Sequence, residues 1–163
     1  MEPKEINNST PPELVIFSGE WEPHQEALFQ IFKKAFLDNT VQFQGLPVRI
    51  KKHPEYKEKH FAFWHLISEG EKEEERTPDM RRCERLLWVS WVIENCEKCA
   101  DISCWENKRG SQKHAVIWYE KENYVVILAK RKGYFLLKTA YLAQANRTKG
   151  FIQEREEFKK KSS

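Results

Sequence analysis

The sequence predicts a single α+β domain in which helices come first and an antiparallel β-meander follows. Three observations carry this. The chain has 163 residues, the length of one domain, and can bury ~70% of its unfolded surface. Aromatic residues make up 13% of it, with ten Phe and six Trp, which is ample apolar surface for a core and excludes a disordered chain. Apolar residues recur at helical spacing in the first part of the chain and as short β-rich runs from residue 113 onward, an order that separates helices from sheet.

Residues 1–12 are polar and close on Pro11-Pro12, which predicts a flexible lead-in ahead of a domain spanning 13–163. Leu14 to Phe17 is a short apolar run and a candidate strand, ended by Ser18-Gly19. Pro23 fits a first helical turn. Ala27, Leu28, Ile31, Phe32, Ala35 and Phe36 then recur at helical spacing, so 23–37 is an amphipathic helix. Val41–Phe43 and Val48–Ile50 alternate around Gly45, the pattern of a small hairpin. The aromatic run 60–67 (HFAFWHLI) fits a strand or a helix, and the charge run 69–76 (EGEKEEER) reads as a solvated loop. Thr77-Pro78-Asp79 opens a second helix that extends to about Glu94. Residues 95–112 read as a cysteine-bearing loop. Lys113–Tyr119, Asn123–Lys130 and Tyr134–Thr139 are three β-rich runs joined by short connections, hence antiparallel neighbours, and the earlier hairpin is a candidate extension of their sheet. Residues 147–161 form a basic helical tail.

Composition excludes several classes. The apolar runs are far shorter than the ~18 residues a membrane-spanning helix needs, and the N-terminus has no apolar signal-like region, so a cytoplasmic location is expected. The sequence contains no GxGxxG, GxxxxGK[ST], HExxH or GxSxG pattern, which argues against nucleotide-dependent phosphoryl transfer and the commonest hydrolase sites. No cofactor is expected. The net charge of +3 hides an asymmetry: residues 105–163 carry 14 Lys+Arg against 6 Asp+Glu, and residues 1–104 carry 14 against 19. A basic half is an electrostatic footprint for a polyanion and equally a solvated sheet surface with a charged tail. Cys83, Cys96, Cys99 and Cys104 are spaced C-x12-C-x2-C-x4-C. Reduced thiols are the expectation, with a zinc site built on Cys96 and Cys99 as the alternative.

The residues that could carry chemistry are polar groups in apolar surroundings. His65 follows Phe61, Phe63 and Trp64, where a desolvated imidazole suits proton transfer near neutrality or sits hydrogen-bonded in the core. His60 is equally available. Arg82 and Arg85 are three apart on the second helix, with Glu84 alongside, and make either a phosphate clamp or a surface ion-pair network. Lys138, Thr139 and Tyr141 close the last β run. Alternation places Lys138 with Ala140 and Thr139 with Tyr141, and the second pair could bind phosphate. Lys130, Arg131 and Lys132 fill the turn before that run and could grip a nucleic-acid backbone.

Across about residues 60–160, the segments FWHLISEG (63–70), RTPDMRRCERLLWV (76–89) and KHAVIWY…NYVVILAKRKGYFLLKTAYL (113–142) resemble small phage-type ribonuclease domains of the barnase, EndoU, colicin and RelE-like superfamily. The run YFLLKTAYL is the most specific part. The resemblance implies a curved antiparallel sheet after the helices and metal-independent endonucleolytic RNA cleavage. It also implies a toxin or phage-conflict role, with RNA and a neutralising protein as partners and no membrane. Carried over, it makes His65 the base or acid and has Arg82 and Arg85 hold the phosphate. Lys138 and Tyr141 then stabilise charge or donate a proton, and Thr139 adds a phosphate ligand. A non-catalytic nucleic-acid-binding or protein-interaction module is the alternative.

Overall fold

The computed structural model describes residues 10–70, 72 and 75–162. Most of the lead-in 1–12, and part of the charge run 69–76, lie outside the described residues. The described part is α+β, with α1 (Trp21–Phe36) first and the long strands late. Pro23 sits in the first turn of α1, where its missing N–H would have no intrahelical partner anyway. His24, Leu28, Phe32 and Phe36 are buried on one stripe of this helix, the four-residue spacing of a single helical face.

The hairpin of β1 (Val41–Phe43) and β2 (Leu46–Arg49) turns through Gln44 and Gly45, both at positive φ (52° and 83°), the geometry of a tight two-residue hairpin turn. The aromatic run is a helix, α2 (Phe61–Ile67), with Ala62, Phe63, Leu66 and Ile67 buried. The charge run is not simply a loop. Among its described residues only Glu69 is in a strand; a short ribbon of β3 (Ser68–Glu69) and β4 (Thr77–Pro78) flanks the run.

Three expectations are corrected. Residues 14–17 form no strand: they lie in a strap whose Val15 N–H donates to the Glu84 carbonyl at 2.8 Å, while Trp88 Nε1 donates to the Pro12 carbonyl at 2.8 Å. The strap meets a helix end rather than a sheet edge. The second helix is two, α3 (Met80–Glu84) and α4 (Leu86–Glu94), broken at Arg85 (φ −104°, ψ 17°). The break frees the Glu84 carbonyl for the strap. Residues 95–112 are not all loop, because β5 (Ile102–Arg109) pairs antiparallel with β6 (Gln112–Tyr119) along its whole length. Its polar residues Ser103, Glu106, Asn107 and Lys108 hide a strand that lies at the sheet edge, where polar side chains are tolerated.

With β7 (Tyr124–Arg131) and β8 (Tyr134–Leu142), the order in the curled main sheet is β1-β2-β8-β7-β6-β5. The sheet is mixed rather than wholly antiparallel: β2 runs parallel to β8, with Val48 opposite Phe135 and Arg49 opposite Leu136. Parallel neighbours need a long crossover, and here α2 to α4 and the rest of the meander supply it. One sheet face (Ile117, Tyr119, Val126, Leu128, Leu137, Ala140) packs on α1 to α4. The other face carries Trp105, Val116, Trp118 and Val125 and is closed by Phe151 and Phe158 of α5 (Thr148–Ser162). The basic tail is therefore docked, and Trp105 Nε1 donates to Glu154 at 3.0 Å.

Candidate nucleic-acid interface

The candidate site forms where the sheet runs out of strands. β2 covers β8 only as far as Leu136, and beyond that point α2 and α3 pack against β8. At the same place β8 bulges. Ile127 lies opposite Thr139 and Leu128 opposite Leu137, so Lys138 has no cross-strand partner. The extra residue resets the alternation. Lys138 is exposed while Leu137 and Ala140 are both buried, which corrects the expectation that Lys138 and Ala140 share a face. Thr139 and Tyr141 remain on a common face, opposite Ile127 and Val125.

Two arginines bind the backbone at the end of α2, beside this strand. Arg82 Nη1 donates to the carbonyls of His65 at 2.9 Å and Ser68 at 2.7 Å. Arg76 Nη2 reaches the same two carbonyls at 3.4 and 2.6 Å, and its other nitrogens donate to Gly70 O at 2.7 Å and Ser68 Oγ at 3.0 Å. Carbonyls at a helix end lack intrahelical donors, and the two guanidinium forks supply them. Asp79 accepts from the backbone N–H of Arg81 at 2.9 Å and of Arg82 at 3.3 Å, and its carboxylate lies 3.7 Å from Arg82 Nε. The Arg82 guanidinium then sits 5.9 Å from the centre of the Tyr141 ring.

A cleft of about 690 Å³ opens beside this junction, lined among others by Glu69, Asp79, Arg81, Arg82, Tyr141 and Arg147. Three arginines and two acidic residues share its lining with Gln144 and Asn146. Planar guanidinium donors suit bidentate contact with phosphate oxygens.

The remaining sequence candidates, His65, Lys138 and Thr139 among them, lie outside the lining of this cleft. His65 stacks on the Phe61 ring at 4.2 Å, and its backbone is the Arg82 acceptor. Arg85 lies outside the cleft lining. Its Nη1 donates to Glu84 at 2.8 Å and Arg81 O at 3.2 Å, and its guanidinium covers Trp88 at 5.2 Å. Arg82 and Arg85 nevertheless both act on the Tyr124 hydroxyl, which burial pushes well up from the ordinary phenol range while the two cations oppose the shift. Glu84 is held by Arg85. His60 stacks on Phe29 at 5.9 Å, away from the cleft. Lys130 and Arg131 are the last residues of β7, opposite Phe135 and Tyr134, so only Lys132 of the three lies in the turn, with Gly133. This corrects the expectation that all three fill it. The turn is at the other end of β8, ~20–25 Å from Tyr141 at the rise of an extended strand. Lys130 pairs with Glu106 at 3.4 Å.

Among the described residues no group of three or more His, Cys, Asp or Glu could hold a metal ion. Burial pushes the Cys83 thiol up to about 12. Cys96 donates a hydrogen bond to Cys104, which raises the first thiol and lowers the second. Sequence reasoning missed Arg76 and Arg147. Each sits in a run of charges or at a helix start, where nothing separates a clamp from a solvated side chain.

Among known proteins, no family model, curated sequence or solved structure matches the chain.

Proposed function

We propose that the protein is a metal-independent endoribonuclease whose reacting site is the junction of α2, α3 and the end of β8. The observation that carries the reading is Arg82, which bonds the His65 carbonyl and lies over Tyr141. Arg82 thereby ties the backbone end of α2 to Tyr141 beside a cleft rich in guanidinium groups, with the His65 ring stacked on Phe61 next to that junction. The resemblance of residues 60–160 to phage-type ribonuclease domains points the same way.

In this chemistry the 2′-hydroxyl oxygen attacks the adjacent phosphorus as a base takes its proton. The bond from phosphorus to the 5′ oxygen breaks, and an acid protonates that oxygen, leaving a 2′,3′-cyclic phosphate. His65 is assigned the base or acid. Tyr141 and Lys138 are assigned the second proton transfer and stabilisation of the charged intermediate, with Thr139 as a further phosphate ligand. Cations aimed at the developing charge act most strongly when fixed in advance, and Arg82 is fixed by its carbonyl and carboxylate partners. Arg85, turned to Glu84, is assigned to shaping the junction. Lys130, Arg131 and Lys132 are assigned a grip on RNA backbone remote from the cleft.

One observation favours a second reading, a non-catalytic RNA-binding module: the Arg82 and Arg85 guanidinium groups are already engaged by protein acceptors. Incubation with total RNA in EDTA, resolved on a denaturing gel, separates the two. Cleavage by the wild type and its loss in His65→Ala support the nuclease. Intact RNA that is bound in a strongly salt-dependent way supports the module.

A further inference from the structure

A second cleft of about 580 Å³ adjoins the first. It is lined among others by Trp21, Tyr56, Lys57, Phe61, Trp64 and Arg76, and Pro78 of β4 lines both clefts. The β3–β4 ribbon is the shared wall: Ser68 faces this cleft, Glu69 faces the other, and Ser68 pairs with Pro78. We propose that this second cleft holds one unpaired base of single-stranded RNA, flanking the phosphate that the Arg82–Tyr141 cleft takes. The proposal rests on the RNA reading above and adds to it a subsite and a ligand class.

The chemistry of the walls supports an RNA base rather than a purely apolar occupant. Tyr56 is 61% exposed, held in a tight turn whose backbone bonds Tyr56 to Lys59 in both directions at 3.0 Å. Trp64 Nε1 donates to the Tyr56 carbonyl at 2.9 Å, and the two rings meet edge to face at 5.4 Å. The corner is therefore built before any ligand arrives. The Phe61 ring is already covered by the His65 ring at 4.2 Å and the Lys51 ammonium at 4.4 Å, whereas Tyr56 is the most exposed aromatic ring of the lining. Lys57 Nζ lies over one face of the Tyr56 ring, 5.5 Å from its centre, so the base takes the opposite face, and Glu55 is the acid in the lining. An aromatic platform edged by cations is the arrangement that takes a base on its face and a phosphate at its rim.

The test is binding of a short single-stranded RNA oligonucleotide carrying 2′-O-methyl groups throughout, which cannot be cleaved, read by quenching of Trp fluorescence. A matching series carries one abasic position moved along the strand. One abasic position is expected to weaken wild-type binding by at least about five-fold, the scale of one lost base stack. Tyr56→Ala, at an exposed position, binds the intact oligonucleotide that much more weakly and shows no further abasic penalty, whereas Tyr56→Phe behaves as wild type. Wild-type affinity in Tyr56→Ala, an abasic penalty that persists in it, or no binding of the oligonucleotide overturns the proposal. These effects in a protein that leaves unmodified RNA intact would keep the base site and refute the nuclease. Cleavage of RNA with Tyr56→Ala binding as wild type would do the reverse.

Discussion

Replacing Arg82 by Ala tests how the junction is held. The side chain is 15% exposed and its Nη1 donates to two carbonyls. A hydrogen bond from a charged donor contributes ~1.5–3 kcal/mol. Ser68 O keeps its 2.6 Å bond from Arg76, but His65 O keeps only the 3.4 Å one. The loss is therefore about one strong bond and a fraction of a second, and the half-screened Asp79 pair adds under ~1 kcal/mol. We expect about 2–4 kcal/mol in urea unfolding, or a fall in Tm of roughly 5–15 °C for a chain of this size. Arg76→Ala removes the other fork. The double variant should lose at least ~1 kcal/mol more than the two single losses combined, because only then do the shared carbonyls lack any donor. A loss below ~0.5 kcal/mol in Arg82→Ala, or strict additivity, would refute the clamp.

Two further outcomes follow from the core. Phe151 is buried among Trp105 and Trp118, with ring centres at 6.0 and 5.5 Å. Phe151→Ala is expected to cost ~3–5 kcal/mol and to open α5 first, seen as faster hydrogen exchange in residues 148–162; unchanged exchange there would contradict the docking. Burial beside Phe17 and Trp21 holds the His24 pKa below the usual imidazole value. The unfolded chain then takes the proton first, so this contribution to stability is complete above ~6.5 and is lost as pH falls through the folded-state pKa. Urea midpoints should drop between about pH 7 and pH 5, and His24→Gln should flatten that drop; an equal drop in the variant would count against it.

The fold was legible where one periodicity dominated. The stripe Leu28, Phe32 and Phe36 marked α1, and the apolar runs after residue 113 marked β6 to β8. It was illegible where tertiary contacts decide. The break at Arg85 leaves the helical pattern of α3 and α4 intact. β5 is written in polar residues because it lies at an edge. The bulge at Lys138 is a feature of the β7–β8 register, next to the point where β2 stops covering β8, and no local pattern records either. The site was half legible for the same reason. Arg82 and Tyr141 could be chosen by residue type, but Arg76 and Arg147 acquire meaning only once α2 and β8 are side by side.

The most direct test of the account uses one RNA and its 2′-O-methyl counterpart, each incubated with wild type, His65→Ala and Tyr141→Phe in EDTA, with the ends of any products analysed by mass. Cleavage of the RNA alone is expected, with products ending in 2′,3′-cyclic phosphate, loss of cleavage in His65→Ala and a weaker reaction in Tyr141→Phe. Intact RNA with the wild type, or equal cleavage by all three proteins, would contradict it.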